Sequence, residues 1–261
     1  MKAAIFVLVA MAAFVILGPL LASADPLQTD PPSQLQPPSL EHVLGTDLLG
    51  RDVFSRVVHS GRHTLAVAGF ATGVAAGFGL PLGILAGLWR RDFDLVLIQA
   101  LLAIPSLVVA LVVLTLMGRG VVPVMMALGL AQIAPFAYTI RSSIRALETE
   151  GYVDAALSLG ATRFYILIHH ILPGAFPTSL AYLGVVFSYA ILNGAALSFL
   201  GLGNEPGTPD WGVILAEGRS AFRSAPWIGF APGLAITVTV WAVNRLSDQI
   251  VGRNRPAQIR L

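Results

Sequence analysis

The chain has 261 residues, of which 56% are hydrophobic and only 11% are charged, and its mean hydropathy is +0.77. A water-soluble protein of this length needs far more charged surface, so the composition excludes a water-soluble protein. The formal net charge of +2 gives no indication of nucleic-acid binding. The absence of cysteine excludes disulfides and thiolate sites, and Lys2, the only lysine, is too isolated to form a phosphate-binding loop.

Six uncharged stretches are each long enough to cross a bilayer as a helix. They cover residues 3–24, 63–89, 95–118, 120–140, 171–204 and 224–244. The sequence therefore predicts an all-α integral membrane protein with six transmembrane helices. The first stretch ends in small residues at 22–24, which is also typical of a cleaved signal peptide, but its long apolar run favours a retained helix.

The basic residues predict the orientation of these spans. With the N-terminus in the cytoplasm, ten basic residues lie on the cytoplasmic side and six on the outer side. The short loop containing Arg90 and Arg91 and the basic C-terminal tail weigh most in this count. Both termini are therefore predicted to be cytoplasmic.

The spans divide the chain into four parts. Residues 1–24 form the first transmembrane helix, and residues 25–61 form an extracytoplasmic segment with five prolines between Pro26 and Pro38, expected to be an extended, poorly packed tether. Residues 62–250 form the transmembrane core, which includes a long cytoplasmic loop at 148–173 and an outer loop at 201–223. Residues 251–261 form a cytoplasmic tail.

The spans contain small and kinking residues but almost no ionisable groups. Two rows of glycines spaced by four residues predict close helix packing: Gly69, Gly73 and Gly77, then Gly79, Gly83 and Gly87. Four prolines could serve static packing or hinges: Pro81, Pro105, Pro135 and Pro232. The lack of an intramembrane carboxylate argues against an ion-coupled carrier. His59, Ser60 and His63 are close in sequence but have no evident acidic partner, so no catalytic or metal site is predicted.

The long cytoplasmic loop contains a short amphipathic pattern. On a helix, Tyr152, Ala155, Ala156 and Leu159 would share one face. Gly160 is predicted to end this helix and Thr162 to cap a second one, with Pro173 marking the end of the loop. From periodicity alone, the pattern fits equally a surface for a partner protein or a helix lying on lipid headgroups.

The same loop resembles the E-A-A-x-x-x-G-x9-I-x-L-P signature of bacterial ABC-transporter permease subunits. Asp154 replaces the glutamate of that signature and His170 replaces its isoleucine. The resemblance implies a coupling helix that docks into a groove of an ATPase subunit. It assigns this role to six residues: Asp154, Ala155, Ala156, Leu159, Gly160 and Ala161.

Two outer stretches resemble the second permease of peptide and nickel importers. The first begins L-G-T-D and contains Gly45, Thr46, Asp47, Gly50, Arg51, Asp52, Ser55 and Arg56. The second follows the S-F-L-G-L-G run and contains Gly201, Gly203, Pro209, Trp211 and Gly212, before an E-G-R triplet at 217–219. Asp47 or Asp52 is expected to pair with Arg51 or Arg56, and this pairing is expected to be structural rather than a substrate contact.

The resemblance implies the type I ABC importer permease fold in a bacterial inner membrane. It implies a non-enzymatic subunit that forms half of a pore for dipeptides or oligopeptides, with nickel, glutathione or opines as other substrates. The implied partners are a second homologous permease, two ATP-binding subunits, an extracytoplasmic substrate-binding protein and membrane lipids. ATP and Mg²⁺ would bind the ATPases, and this chain would bind no cofactor. The alternatives are an exporter or peptide-resistance permease of the same wider family, and a stand-alone channel or carrier.

Overall fold

The computed structural model describes residues 2–22, 25–88, 92–203, 208 and 210–254. Over these residues the chain is mostly helical, apart from the segment between α1 and α2 and the shorter connections. Its α-helices are α1 (Lys2–Leu21), α2 (Val53–Leu88), α3 (Asp92–Ala103), α4 (Ser106–Met117), α5 (Val121–Ala131), α6 (Ile133–Glu148), α7 (Gly151–Ser158), α8 (Arg163–Ile166), α9 (Leu172–Phe199), α10 (Trp211–Gly218) and α11 (Trp227–Asn254).

Four helical stretches of the described chain are long and apolar enough to cross a membrane: Val53–Leu88, Val121–Glu148, Arg163–Phe199 and Trp227–Gly252. Two shorter apolar helices accompany them, Ala4–Leu20 and Ser106–Met117. With α3 and α4 as one interrupted pass, these stretches make the six passes predicted from the sequence.

The bundle has two ends with different structures. At the Asp47 end, the segment between α1 and α2 packs beside α10 and the start of α11; for example, the Trp227 indole donates to the carbonyl oxygen of Thr46. At the α7 end, α7 and α8 lie beside the last residues of α2 and α6, Leu88 and Glu148. Because α1 reaches the Asp47 end at its C-terminus and α11 leaves from it, the start of α1 and the end of α11 point away from the Asp47 end.

Of the two glycine rows on α2, one makes a close helix contact. A Cβ atom at Gly83 would lie 2.7 Å from both the Ala137 carbonyl oxygen and the Ile140 Cβ, so α2 and α6 pack backbone to side chain here. Gly79 and Gly87 make similar contacts with α6. At Gly69, Gly73 and Gly77 a Cβ would meet no described atom within 4 Å, so among the described residues the close packing predicted for that row is not made.

The Pro-rich segment after α1 is packed against the bundle, which corrects the expected loose tether. Its backbone pairs with the residues just before α2: Asp30 N donates to Leu49 O at 3.1 Å, and Leu35 N donates to Asp47 O at 3.1 Å. These hydrogen bonds provide partners for backbone groups of a segment that has no regular secondary structure. They hold the segment as a layer over the end of the bundle.

The boundaries of three predicted segments differ from the structure. Helix α2 begins at Val53 and not after Gly61. The predicted start was too late because the charged residues were taken to lie outside the span, whereas Arg56 is buried and paired with Asp47. The helix leading into α9 begins at Arg163 and continues past Pro173 through a π-helical turn, Leu167–Ile171. A π turn accommodates the proline because it redirects the carbonyl that its ring would clash with. Helix α11 continues to Asn254, beyond the predicted start of the tail.

Candidate functional site

Helix α7 is a short helix fixed to the bundle by one buried side chain. Val153 is 6% exposed and belongs to an apolar cluster with Ile144, Ile166 and Ile171. The rest of the helix contributes little to this core. Helix α7 is therefore held to α6, α8 and the π turn while most of its surface remains open.

Gly160 ends α7, as the sequence predicts. Its φ is +87°, a left-handed conformation that favours glycine. The amide of Gly160 donates to Leu157 O at 3.0 Å and that of Ala161 donates to Ala156 O at 3.1 Å, which is the Schellman arrangement of a helix C-terminus. The Thr162 hydroxyl then accepts from Tyr165 N at 3.2 Å and caps α8, also as predicted.

The six residues assigned to the coupling helix lie together at this end. Asp154, Ala155 and Gly160 are exposed, Leu159 is 89% exposed, and Ala156 and Ala161 are half-buried. Tyr152 is also exposed, and partial desolvation, followed by the charge of Glu150, raises the pKa of its phenol. The phenol therefore stays neutral at physiological pH. The result is an exposed surface of small and apolar groups with one carboxylate.

Helix α8 and the π turn extend this surface. Phe164, Tyr165 and Ile168 are exposed, and the rings of Tyr165 and His169 stack at a centroid distance of 4.2 Å. His170, which replaces the apolar residue of the family signature, is exposed. Its imidazole therefore does not disturb the underside of the turn, where Ile166, Leu167 and Ile171 are buried.

A cavity of about 310 Å³ lies between α7 and the bundle. Its walls are mostly apolar, and they also carry Glu148, Asp154 and Arg163. Helix α7 is attached to the bundle through Val153, and this cavity separates other parts of it from the bundle. It is therefore a separate element and not a continuation of α6.

At the opposite end, two carboxylates bridge two arginines. Asp47 Oδ2 accepts from Arg51 Nε and from Arg56 Nη1, both at 2.6 Å. Glu217 Oε2 accepts from Arg51 Nη2 at 2.5 Å and from Arg56 Nη2 at 2.7 Å. The Asp47 side chain is 2% exposed and that of Glu217 is 30% exposed. The group is neutral overall and joins the outer segment and α2 to α10.

The other residues of the first outer motif shape its turn. Gly50 has a φ of +73°, and a Cβ there would overlap the Asp30 carbonyl. Asp52 precedes α2 and accepts from Ser55 N at 2.7 Å, which caps the helix, while its other oxygen lies 3.1 Å from His42 Nδ1. Thr46 is buried, and Gly45 packs against the Trp227 indole. Of the two aspartates of this motif, Asp47 therefore makes the expected pairs with the arginines, whereas Asp52 caps α2 and contacts His42.

The outer loop is anchored by Trp211. Its ring is buried and donates to Val57 O at 2.8 Å, and the preceding Asp210 caps α10 by accepting from Gly212 N at 2.7 Å. A Cβ at Gly212 would lie 2.6 Å from Ala195 Cα, so this glycine allows α10 to contact α9 directly. Gly201, at a φ of +74°, ends α9. Gly203 packs against Ser198, and Pro209 lies outside the described residues.

Two acidic residues with long-range partners were not predicted as site residues. Glu217 is 166 residues from Arg51, and its sequence signal was its place in the E-G-R triplet of the outer-loop motif. Asp210 lies 3.6 Å from His63 Nδ1, so the expectation that His63 has no acidic neighbour is wrong. The spacing in sequence gave no indication of that contact. No hydrogen bond joins Ser60 to His63 in the described structure, so the three groups form no activated nucleophile.

The described residues thus form two exposed surfaces, one at each end of an apolar bundle. In the described ranges, no three His, Asp or Glu side chains converge on a possible metal position. Asp210, Asp52 and Thr162 cap helices, and the most buried ion pairs form the ion cluster.

Comparisons with known proteins agree with this geometry. The sequence model of the family described as "Binding-protein-dependent transport system inner membrane component" matches residues 77–259. The chain is 35% identical over 253 residues to the dipeptide transport system permease protein of Alkalihalophilus pseudofirmus, which covers 95% of this chain and 83% of that protein.

Further relatives have similar identity. A putative peptide transport system permease protein of Brucella suis is 38% identical over 89% of this chain and 79% of its own length. A glutathione transport system permease protein of Pectobacterium atrosepticum is 38% identical over 81% of this chain and 71% of its own. The inward-facing MetNI methionine ABC transporter has the same fold, with a TM-score of 0.61 at 18% identity over 77% of this chain and 97% of that one.

Proposed function

This chain belongs to the family of binding-protein-dependent transport system inner membrane components, and we propose that it forms half of the pore of an ATP-driven importer of dipeptides or oligopeptides. A second homologous permease completes the pore. Two ATPase subunits bind ATP and Mg²⁺, and an extracytoplasmic binding protein delivers the substrate. The chain makes and breaks no bonds of the substrate.

The exposed face of α7 is the observation that supports this proposal most directly. Leu159 is 89% exposed although it is a large apolar residue, and the neighbouring Ala155 leaves room for close approach. Exposed apolar groups on a fixed helix are typical of a protein interface. A lipid-facing helix would need its apolar side directed toward the bilayer, whereas α7 lies beyond the ends of α2 and α6.

The α7 end is the cytoplasmic end in this proposal, since ATP is available there. The start of α1 and the end of α11 point away from the Asp47 end, so the proposal makes both termini cytoplasmic. This orientation agrees with the excess of basic residues on that side, ten against six. The Asp47 end, with its layer of loops, then faces the binding protein.

Coupling follows from how α7 is attached. Closure of the ATPases on ATP moves α7, and Val153 with the apolar cluster around it passes that movement to α6 and α9. The tight contact between α2 and α6 at Gly83 makes these two helices move together. The pore then alternates between inward- and outward-facing states by a rigid-body change.

The proposal of a peptide substrate is supported by the relatives named for dipeptide and peptide transport. Glutathione, a tripeptide derivative, is the second candidate because a glutathione permease is equally similar at 38% identity. A stand-alone channel or carrier does not agree with membership of a binding-protein-dependent family.

The proposal is tested with the complete transporter in proteoliposomes. ATP-dependent uptake of a labelled dipeptide is measured in parallel with uptake of labelled glutathione, each with a binding protein that stimulates ATP hydrolysis. Leu159→Asp should abolish coupling and release the ATPases, whereas Gln34→Asp, an exposed change at the other end, should not. Uptake that needs neither ATP nor a binding protein would refute the proposal.

A further inference from the structure

Helix α6 is amphipathic, although it belongs to the apolar stretch Val121–Glu148 that is long enough to cross a membrane. One side packs against the bundle through three buried apolar residues: Phe136, Ile140 and Ile144. The other side, which we call the polar face of α6, carries four residues at spacings of one helical turn: Tyr138, Arg141, Ser142 and Arg145. A helix that met only lipid would be apolar on that side as well.

The polar face reaches into the apolar part of the bundle. A Cβ at Gly83 would lie 2.7 Å from the Ile140 Cβ, so Arg141, the next residue of α6, is level with this part of α2. Helix α2 continues from Gly83 to Leu88, about 7 Å further along its axis. The guanidinium of Arg141 therefore belongs to a residue inside the span and not to one beyond its end.

Arg141 has no counter-ion among the described residues. Its side chain is half-buried, and its Nε is buried without a hydrogen-bond partner. The neighbouring Arg145, by contrast, donates to Glu148 Oε2 at 3.2 Å. An arginine inside a span faces a partner or a water-filled path, because its charge is unfavourable in contact with lipid tails. Arg141 is thus free to receive an anion.

A cavity of about 490 Å³ lies at the other end of this side of α6. It opens beside Gln132, where α5 and α6 are interrupted, and faces the break between α3 and α4. Its walls include residues of both breaks: Ile104, Pro105, Ala134 and Pro135. Interrupted helices at membrane depth occur only where they are buried in protein or line a water-filled cavity. Ala134 and Tyr138 are about one turn apart, so the cavity leads onto the polar face.

We infer that the polar face of α6 lines the inner half of the pore and that Arg141 binds the carboxylate of the passing substrate. This inference rests on the proposed function, which provides a peptide substrate and places the α7 end in the cytoplasm. A peptide with a free C-terminus carries a carboxylate, and a guanidinium can bind it with two parallel hydrogen bonds. The hydroxyls of Tyr138 and Ser142 lie on the same face and can bond to the amide groups of the peptide.

The composition of the polar face disfavours two other occupants. Lipid tails would leave two hydroxyls and a guanidinium without hydrogen-bond partners. A helix of the second permease would exclude water from Arg141, which is unfavourable unless that helix supplied a carboxylate. A pore satisfies all of these groups with water until the substrate arrives.

The first test measures whether water reaches the polar face. The chain has no cysteine, so Ser142→Cys, assembled with cysteine-free partner subunits, gives a single thiol. In vesicles with the cytoplasmic side outward, the anionic sulfonatoethyl and the cationic trimethylammonioethyl methanethiosulfonates should both label it, and an excess of dipeptide should slow the labelling. Arg141→Gln in the same chain should lower the ratio of anionic to cationic labelling rates several-fold, because a positive charge attracts the anion.

Leu85→Cys is the matched control for this labelling. Leu85 is 48% exposed and lies between Gly83 and Gly87 on α2, at a similar level but outside the polar face. Its thiol should stay unlabelled, since a thiol needs water to form the reactive thiolate. An unlabelled Ser142→Cys in a transporter that still takes up dipeptide would overturn the inference, because lipid or the second permease would then cover the face.

The second test measures uptake by the complete transporter in proteoliposomes. Arg141→Gln should lower kcat/KM for dipeptide uptake about tenfold, the usual effect of losing one hydrogen-bonded charge. Arg141→Lys keeps the charge and should recover most of the uptake. ATP hydrolysis stimulated by the binding protein should persist in both variants, because the exposed surface of α7 is unchanged.

The failure of this inference is distinguishable from the failure of the proposed function. Normal uptake by Arg141→Gln would remove the carboxylate-binding role from Arg141 while leaving the transporter assignment intact. If Arg141→Gln did not assemble, slowing of Ser142→Cys labelling by dipeptide would still decide whether the substrate passes this face. If the unmodified transporter took up neither dipeptide nor glutathione, the proposed function itself would be wrong.

Discussion

Gly160 occupies a position where only the backbone conformation restricts the side chain. A Cβ there would meet no described atom within 4 Å, but its φ of +87° is costly for other residues, by about 1–2 kcal/mol and more for a β-branched one. Substitution therefore strains the end of α7 without overpacking the bundle. A substitution at Gly160 therefore tests the backbone path of the α7–α8 turn separately from the packing of the bundle.

We expect Gly160→Val to uncouple transport while membrane insertion stays normal. The valine opposes the left-handed backbone, so the Schellman turn opens and α7 presents its exposed face differently to the ATPase. Substrate-stimulated ATP hydrolysis and uptake in proteoliposomes measure the effect. Gly160→Asn is the control, because asparagine tolerates this conformation and should retain most activity. Normal uptake by the valine variant would remove the coupling role from this turn.

The ion cluster at the other end makes a prediction about stability. Asp47→Asn leaves two buried arginines with a weaker partner and should cost about 3–5 kcal/mol, the usual effect of breaking a buried pair from one side. Glu217→Gln should cost less, because Glu217 is partly exposed and water replaces it. Thermal unfolding in detergent, with the folded fraction measured by size-exclusion chromatography, gives the order of the two midpoints. Equal midpoints would mean that the difference in burial between Asp47 and Glu217 does not determine how much each carboxylate contributes to stability.

At the level of helices, the two glycine rows of α2 should respond oppositely to substitution. Gly83→Ala places a methyl group 2.7 Å from Ala137 O and should destabilise the α2–α6 contact by about 1–3 kcal/mol. Gly73→Ala faces no described atom and should leave the isolated chain as stable as before. The comparison uses thermal midpoints of the purified permease. A similar loss in both variants would indicate that Gly73 is also packed within this chain.

This pair of rows illustrates what sequence could and could not predict. The six passes, the end of α7 at Gly160 and the cap at Thr162 follow from local patterns, and all were predicted. The choice between Gly73 and Gly83 depends on which face of α2 meets α6, which spacing alone does not determine. The same holds for Pro173. The sequence predicts a boundary there, but the helix continues past it through a π turn at Leu167–Ile171.

Contacts between distant residues were the least predictable part of the site. Asp47 and its arginines lie within one motif and could be paired from the sequence, whereas Glu217 joins them from 166 residues away. Likewise, His63 and Asp210 meet only because α10 packs against α2. The sequence identified which residues matter at each end, and the fold determined which of them touch.

For the whole molecule, the opposite placement of the two ends makes the orientation testable with single cysteines. Glu41 is exposed at the Asp47 end and Gly252 is exposed at the α7 end, and the natural chain contains no cysteine. A membrane-impermeant maleimide should label Glu41→Cys on spheroplasts of the intact bacterium. It should label Gly252→Cys only after the membrane is permeabilised.

The outcome decides between two arrangements that the bundle allows equally. Labelling of Gly252→Cys from outside would place α7 away from ATP and separate it from any cytoplasmic ATPase, so the coupling assignment would fail. Labelling of Glu41→Cys alone places the ion cluster and the Trp211 anchor on the side where a binding protein arrives. The position of one exposed residue at each end thus tests the premise on which every transport step rests.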